Sequence, residues 1–210
     1  KAVEIVDYAQ SLGIDFIICD HHLPGEIIPN AAAVLDPKQP NCSYPFKDLC
    51  GCGIGFKLIQ ALTQEKGGSI HDIIPFMDLV AMAIAADIVP IIGENRVLTH
   101  FGLQQIQDNP RVGIRYFINQ FKRKVNVSDL VFVIAPRING AGRIKHARHA
   151  VALLLSKDQE EAISRSRAIE LFNSERKEID QKITAQALDQ IKQNKEEDRF
   201  STVVFQPDWH

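Results

Sequence analysis

Long apolar runs are missing from this sequence, and that absence narrows the field first. No stretch reaches the roughly 18 uncharged apolar residues that span a bilayer. The opening "KAVEIVDYAQ" is an amphipathic segment carrying acids, not a secretory leader. Net charge is nearly missing too: 24 cations meet 26 acids, so no whole-chain field draws the protein to a membrane or a polyanion. Cysteine is scarce. The four present, at 19, 42, 50 and 52, form no CxxC pair and read as reduced thiols of a cytosolic protein rather than bridges or a zinc site. Phosphate-loop fingerprints are also lacking. "GAGRIK" (140–145) has neither the GKS or GKT of a P-loop nor the third glycine of a dinucleotide-binding turn.

What is present predicts an α/β protein. Ala2, Ile5, Val6, Ala9 and Leu12 recur at helical spacing, and Gly13 closes that segment. Residues 14–19 follow as a strand, apolar apart from Asp15, as a parallel strand covered on both faces would be. A second strand is expected at 31–37 and a loop at 38–53. Helices are expected over 54–66, 72–92, 94–108 and 111–121. From 157 to about 197 no glycine or proline interrupts the chain. A single helix of about 40 residues would reach roughly 60 Å, a length that usually bridges domains or lies along one. A strand at 199–205 would then open another domain. The sequence begins inside a helix and stops just after that strand, which reads as a piece of a larger protein.

Charge is uneven despite the neutral total. Nine cations stand between 111 and 149 (Arg111, Arg115, Lys122, Arg123, Lys124, Arg137, Arg143, Lys145, Arg148) against one acid, Asp129. Such a surplus suits a polyanion.

Three constellations carry chemistry. In "CDHHLPGE" (19–26) an apolar strand ends on Asp20, His21 and His22. Ligands of open α/β sheets sit beyond the carboxyl ends of strands. Adjacent residues leaving a strand point in different directions. One histidine can therefore ligate a metal while the other faces substrate, with the acid as orienter. In "MDLVAMAIAADIVP" (77–90) Asp87 stands among Ala85, Ala86, Ile88 and Val89, where an unpaired carboxylate is costly and a divalent cation would be a fitting partner. Asp78, near the start of the same helix, reads as an N-terminal helix acid with little functional weight. In "APRINGAGRIKHARHA" (135–150) two arginines, an asparagine and two glycines lie in seven residues, Arg137 to Arg143. Arginine forks and close backbone approach suit phosphate.

Taken together with the terminal "PDWH", these blocks resemble the RecJ family, single-strand-specific 5′-to-3′ exonucleases of the DHH phosphoesterase superfamily. The resemblance implies a partial parallel-sheet DHH domain flanked by helices (1–156), a long inter-domain helix (157–198) and the first strand of a DHHA1-type domain (199–210). It implies two Mn²⁺ or Mg²⁺ ions in a cleft around one DNA strand. His21 and Asp87 would be metal ligands. His22 would touch the scissile phosphate or help hold metal, and Asp20 would support both histidines. Arg137, Asn139 and Arg143 would contact DNA phosphates, and His210 would open the second domain's nucleic-acid-binding segment. A helicase and a single-strand-binding protein are the partners implied, in the cytoplasm. The family's Asp-rich D-x-D turn and a later strand-end Asp have no counterpart in these residues, so this chain alone is expected to be inactive and to bind Mn²⁺ weakly. Two other readings stay open: a phosphodiesterase for short oligonucleotides or cyclic dinucleotides, and a non-catalytic nucleic-acid-binding module.

Overall fold

A computed structural model describes residues 2–209. They form two compact units that divide between Pro136 and Arg137.

The first unit begins with helix α1 (Ala2–Ser11), which buries Val6 and Ala9. It ends at Gly13, whose φ of +72° is the left-handed conformation glycine adopts cheaply. The Gly13 amide bonds back to the Gln10 carbonyl and the Ile14 amide to that of Ala9, closing the helix end. Strands β1 (Ile17–Cys19) and β2 (Ala33–Leu35) pair in parallel, with Ile17 opposite Ala33 and Cys19 opposite Leu35. A loop over 20–32 makes the crossover, about the shortest a parallel pair allows. Both strands are shorter than their apolar runs predict. Nor is β1 covered on both faces by the described residues, since Ile17 is 59% exposed.

Helix α2 (Gly51–Glu65) starts inside the segment expected as loop, because Cys50 caps it: its Sγ accepts from the Gly53 amide at 3.3 Å. Two 3₁₀ turns (Ile70–Asp72 and Ile74–Phe76) lead into α3 (Met77–Asp87) and α4 (Gly93–Asp108). Leu49, Cys50, Ile54, Phe56, Ile73, Met77, Val80, Ile84 and Leu98 form the core these helices share. Helices α3 and α4 pack most closely of all, which requires Gly102: a Cβ there would lie 2.4 Å from the Met77 carbonyl oxygen and 2.5 Å from the Ala81 Cβ. Helices α5 (Val112–Ile118) and α6 (Val127–Asp129) follow, and a π-helical turn (Leu130–Ile134) packs on α3.

Helix α7 (Ala135–Ile144) belongs to the second unit from Arg137 onward, with α8 (Arg148–Leu155) and α9 (Gln159–Gln193). The long helix expected over 157–197 is real, at 35 residues and about 52 Å. Asp158 caps its start by accepting from the Glu161 amide at 2.8 Å. Its buried stripe is Ala162, Ser166, Ile169 and Asn173. The stretch 199–205, expected as a strand, is not one: it has no ladder partner among the described residues, and a strand is defined by pairing. The whole is α/β, mostly helical with one small parallel sheet. No helix among the described residues is long and apolar enough to cross a membrane.

Candidate metal centre

The C-terminal end of β1 and the C-terminal end of α3 meet. The Nε2 atom of His21 lies 3.7 Å from Oδ2 of Asp87, although the two are far apart in sequence. That separation is too long for a hydrogen bond, so neither group satisfies the other. Neighbouring ligands on one divalent ion sit about 3 Å apart, so the pair fits two positions of a shared shell. The donor set, one imidazole and one carboxylate, suits a cation of intermediate hardness such as Mn²⁺. Among the described residues no group of three or more His, Cys, Asp or Glu side chains converges on a metal-sized point.

Asp87 is not the buried carboxylate its apolar neighbours suggested. Helix α3 ends at Asp87 because Ile88 turns into the left-handed region at φ 53°, where a β-branched residue is strained. The carboxylate therefore stands at the helix end, 39% exposed. Ala85 faces the core, and Asp87 does not.

His21 is held on the other side by the start of α2. A Cβ on Gly51 would sit 3.6 Å from His21 Cδ2, leaving room for a methyl group and little more. Asn95 fixes the surroundings. Fully buried, it donates from Nδ2 to the Asp48 carbonyl at 2.6 Å and the Pro90 carbonyl at 3.0 Å. It thus ties the approach to α2 to the loop after Asp87. Neither Gly51 nor Asn95 stands out in the sequence, where Gly51 falls in the segment expected as loop.

Asp20 takes a different part from Asp87. Its Oδ1 accepts from the His21 amide at 2.7 Å, the His22 amide at 3.2 Å and the His22 imidazole Nδ1 at 2.7 Å. The hydrogen bond from the His22 ring holds the Asp20 carboxyl below the ordinary carboxylate range, against the opposing effect of burial, and the two amides add to it. An ionised Asp20 favours the His22 tautomer protonated at Nδ1, which leaves Nε2 as the working nitrogen. The His22 side chain is 77% exposed, whereas that of His21 is 18% exposed. One strand end thus presents two histidines with different surroundings.

The other acids and thiols nearby have structural roles. Asp78, 1% exposed, takes a two-pronged bond from Arg111 (2.7 and 2.8 Å) and one from the Leu79 amide. All four cysteines are free, and burial pushes the Cys50 thiol up, away from a metal-binding thiolate.

In the second unit, helix α7 separates the residues of the basic block. Arg137 lies on the same face as Gly140 and Ala141, both buried, and its Nε donates to Glu170 Oε1 of α9 at 2.9 Å. Asn139 lies on the exposed outer face. The side chain of Arg143 lies outside the described residues, as does His210. The local surplus of cations is smaller than the sequence count suggests. Arg111, Arg123 and Arg137 are matched to Asp78, Asp129 and Glu170, two of which lie outside the window counted.

Known proteins resemble this chain in sequence and in fold. Residues 1–84 match the DHH family, N-terminal domain. Within that class the likeness is to RecJ. The chain is 37% identical over its whole length to the single-stranded-DNA-specific exonuclease RecJ of Bacillus subtilis, and 34% identical over 98% of its length to that of Escherichia coli. A crystal structure of exonuclease RecJ bound to manganese superposes with a TM-score of 0.80 at 29% identity, over 90% of this chain and 48% of that one. The chain spans 26% of the length of the first of these relatives and 38% of the second.

Proposed function

We propose that this chain carries part of the active site of a metal-dependent exonuclease that hydrolyses single-stranded DNA from the 5′ end, in the cytoplasm. The observation that carries the reading is the approach of His21 Nε2 to Asp87 Oδ2 at 3.7 Å without a hydrogen bond. These two residues would hold a Mn²⁺ or Mg²⁺ ion. Such an ion, when bound, acidifies a coordinated water and polarises a phosphoryl oxygen. His22, oriented by Asp20 through the 2.7 Å contact at Nδ1, would turn Nε2 toward the scissile phosphate, to which it would donate as Nε2–H, or toward metal, which it would ligate through the Nε2 lone pair. Asn139, Arg143, Arg137 and His210 would meet the DNA backbone, which accounts for their cationic and polar character.

In this reading residues 1–156 are the later part of a DHH domain, 157–198 link it onward, and 199–210 open a DHHA1-type domain. A helicase and a single-strand-binding protein would be the partners. The 210-residue chain alone would bind Mn²⁺ weakly and not cut, since two protein donors fill only about a third of a six-coordinate shell.

The test is His21→Ala in the complete protein. Cleavage should fall below detection while affinity for single-stranded DNA persists. A non-catalytic module would lose nothing. A phosphodiesterase for short substrates would turn over a dinucleotide faster than a long strand. Robust metal-dependent digestion by the isolated chain would contradict the division of ligands proposed here.

A further inference from the structure

We propose that Glu170 of α9 is a positioning residue for Arg137, an inference that rests on the nuclease reading above. The pair is well enclosed: Arg137 is 19% exposed and Glu170 27%. It also lies on the seam where α7 meets α9. A Cβ on Gly140, one turn beyond Arg137, would stand 3.7 Å from the Asn173 Cα and 3.7 Å from Arg176 Cδ, so α7 and α9 are in contact at this point. Ala141 of α7 and Ala162, Ser166 and Ile169 of α9 are fully buried. A guanidinium anchored at such a seam keeps one orientation.

Orientation is what a mobile arginine lacks. A free arginine samples many rotamers and loses that freedom on meeting a phosphate, whereas one already ordered by a carboxylate has lost it on folding. The same carboxylate carries a negative charge toward an incoming polyanion, which opposes binding. The two effects have opposite signs, so removing the charge of Glu170 reports which dominates. The enclosed geometry favours orientation, because the 2.9 Å bond to Nε is directional.

The experiment uses the complete protein and a 5′-phosphorylated oligothymidylate, with kcat and KM measured separately. Glu170→Gln should raise KM about fivefold and leave kcat within twofold, the cost of ordering one side chain at binding. Arg137→Lys, which keeps the charge and loses the fork, should raise KM similarly, and the double variant should show no further rise. Should Glu170→Gln fail to fold, Arg137→Lys carries the test alone. A KM that falls or stays constant in Glu170→Gln, or that stays at the wild-type value in Arg137→Lys, overturns the assignment. Full additivity of the two substitutions overturns it as well. If the wild-type protein leaves single-stranded DNA uncut, the nuclease reading fails and this inference falls with it. Normal cleavage with an insensitive Glu170 sinks this inference alone.

Discussion

Helix α3 carries one aspartate at each end, and the two have opposite fates. Asp78 in the first turn is 1% exposed, gripped by both prongs of Arg111 and by the Leu79 amide. Asp87 in the last turn is 39% exposed and faces His21 across 3.7 Å with no hydrogen bond between them. Both interrupt the same apolar pattern. The difference shows that a carboxylate enclosed and fully matched serves the fold. One left at a helix end, poised beside an imidazole, remains available for a third body.

The comparison breaks first on stability. Asp78→Ala would leave the Arg111 guanidinium, 20% exposed, without its carboxylate, and should cost about 3–5 kcal/mol in denaturant unfolding of the chain. Asp87→Asn should change the same measurement by no more than about 0.5 kcal/mol. On cleavage by the complete protein the order reverses. Asp87→Asn should lower kcat/KM by more than about 100-fold, beyond what loss of a metal ligand's outer partner causes. If both substitutions unfold the chain alike, Asp87 is structural and the contrast is lost.

A smaller effect sharpens the structural side. Gly102→Ala would press a methyl group onto the Met77 carbonyl and Ala81, beside the Asp78 end of α3. It should cost about 1–3 kcal/mol in thermal or denaturant unfolding, with Mn²⁺ affinity unchanged. The smallest effect concerns Asp129, another structural acid. Its carboxyl is held low chiefly by the Arg123 hydrogen bond, with burial opposing and the Asn126 amide assisting. A depressed carboxylate contributes stability above its unfolded pKa and loses it as pH falls through the folded value. The stability gap between the wild type and Asp129→Asn should therefore be constant from neutral pH down to about 4, and close below that.

Much of this was legible in the sequence where the cause is local. The α1 helix follows from its 3.6-residue spacing and Gly13, and the end of β1 before Asp20 from the close of its apolar run. The place of Asp78 in the first turn of α3 was legible, but its role was not: α3 has no side-chain cap, and Asp78 is matched to Arg111 from a later element. What escaped was set at a distance, or by a backbone or capping choice that the residue type does not announce. The exposure of Asp87 depends on the backbone of Ile88, whose left-handed φ no β-branched residue advertises. Arg137 meets Glu170 across a helix pair, so counting charges in one window overstated the basic surface. Cys50 starts α2 earlier than its apolar pattern, because a thiol seldom serves as a cap. The stretch 199–205 has strand composition, but pairing is a property of two segments.

The most direct measurement is Mn²⁺-induced broadening of the histidine ring protons of this chain by NMR, compared between wild type and Asp87→Asn. Shared coordination requires selective broadening of the His21 ring at low Mn²⁺, shifted to much higher metal concentration once Asp87 loses its charge. Broadening of His21 that is indifferent to Asp87, or that is centred on histidines elsewhere, would contradict it.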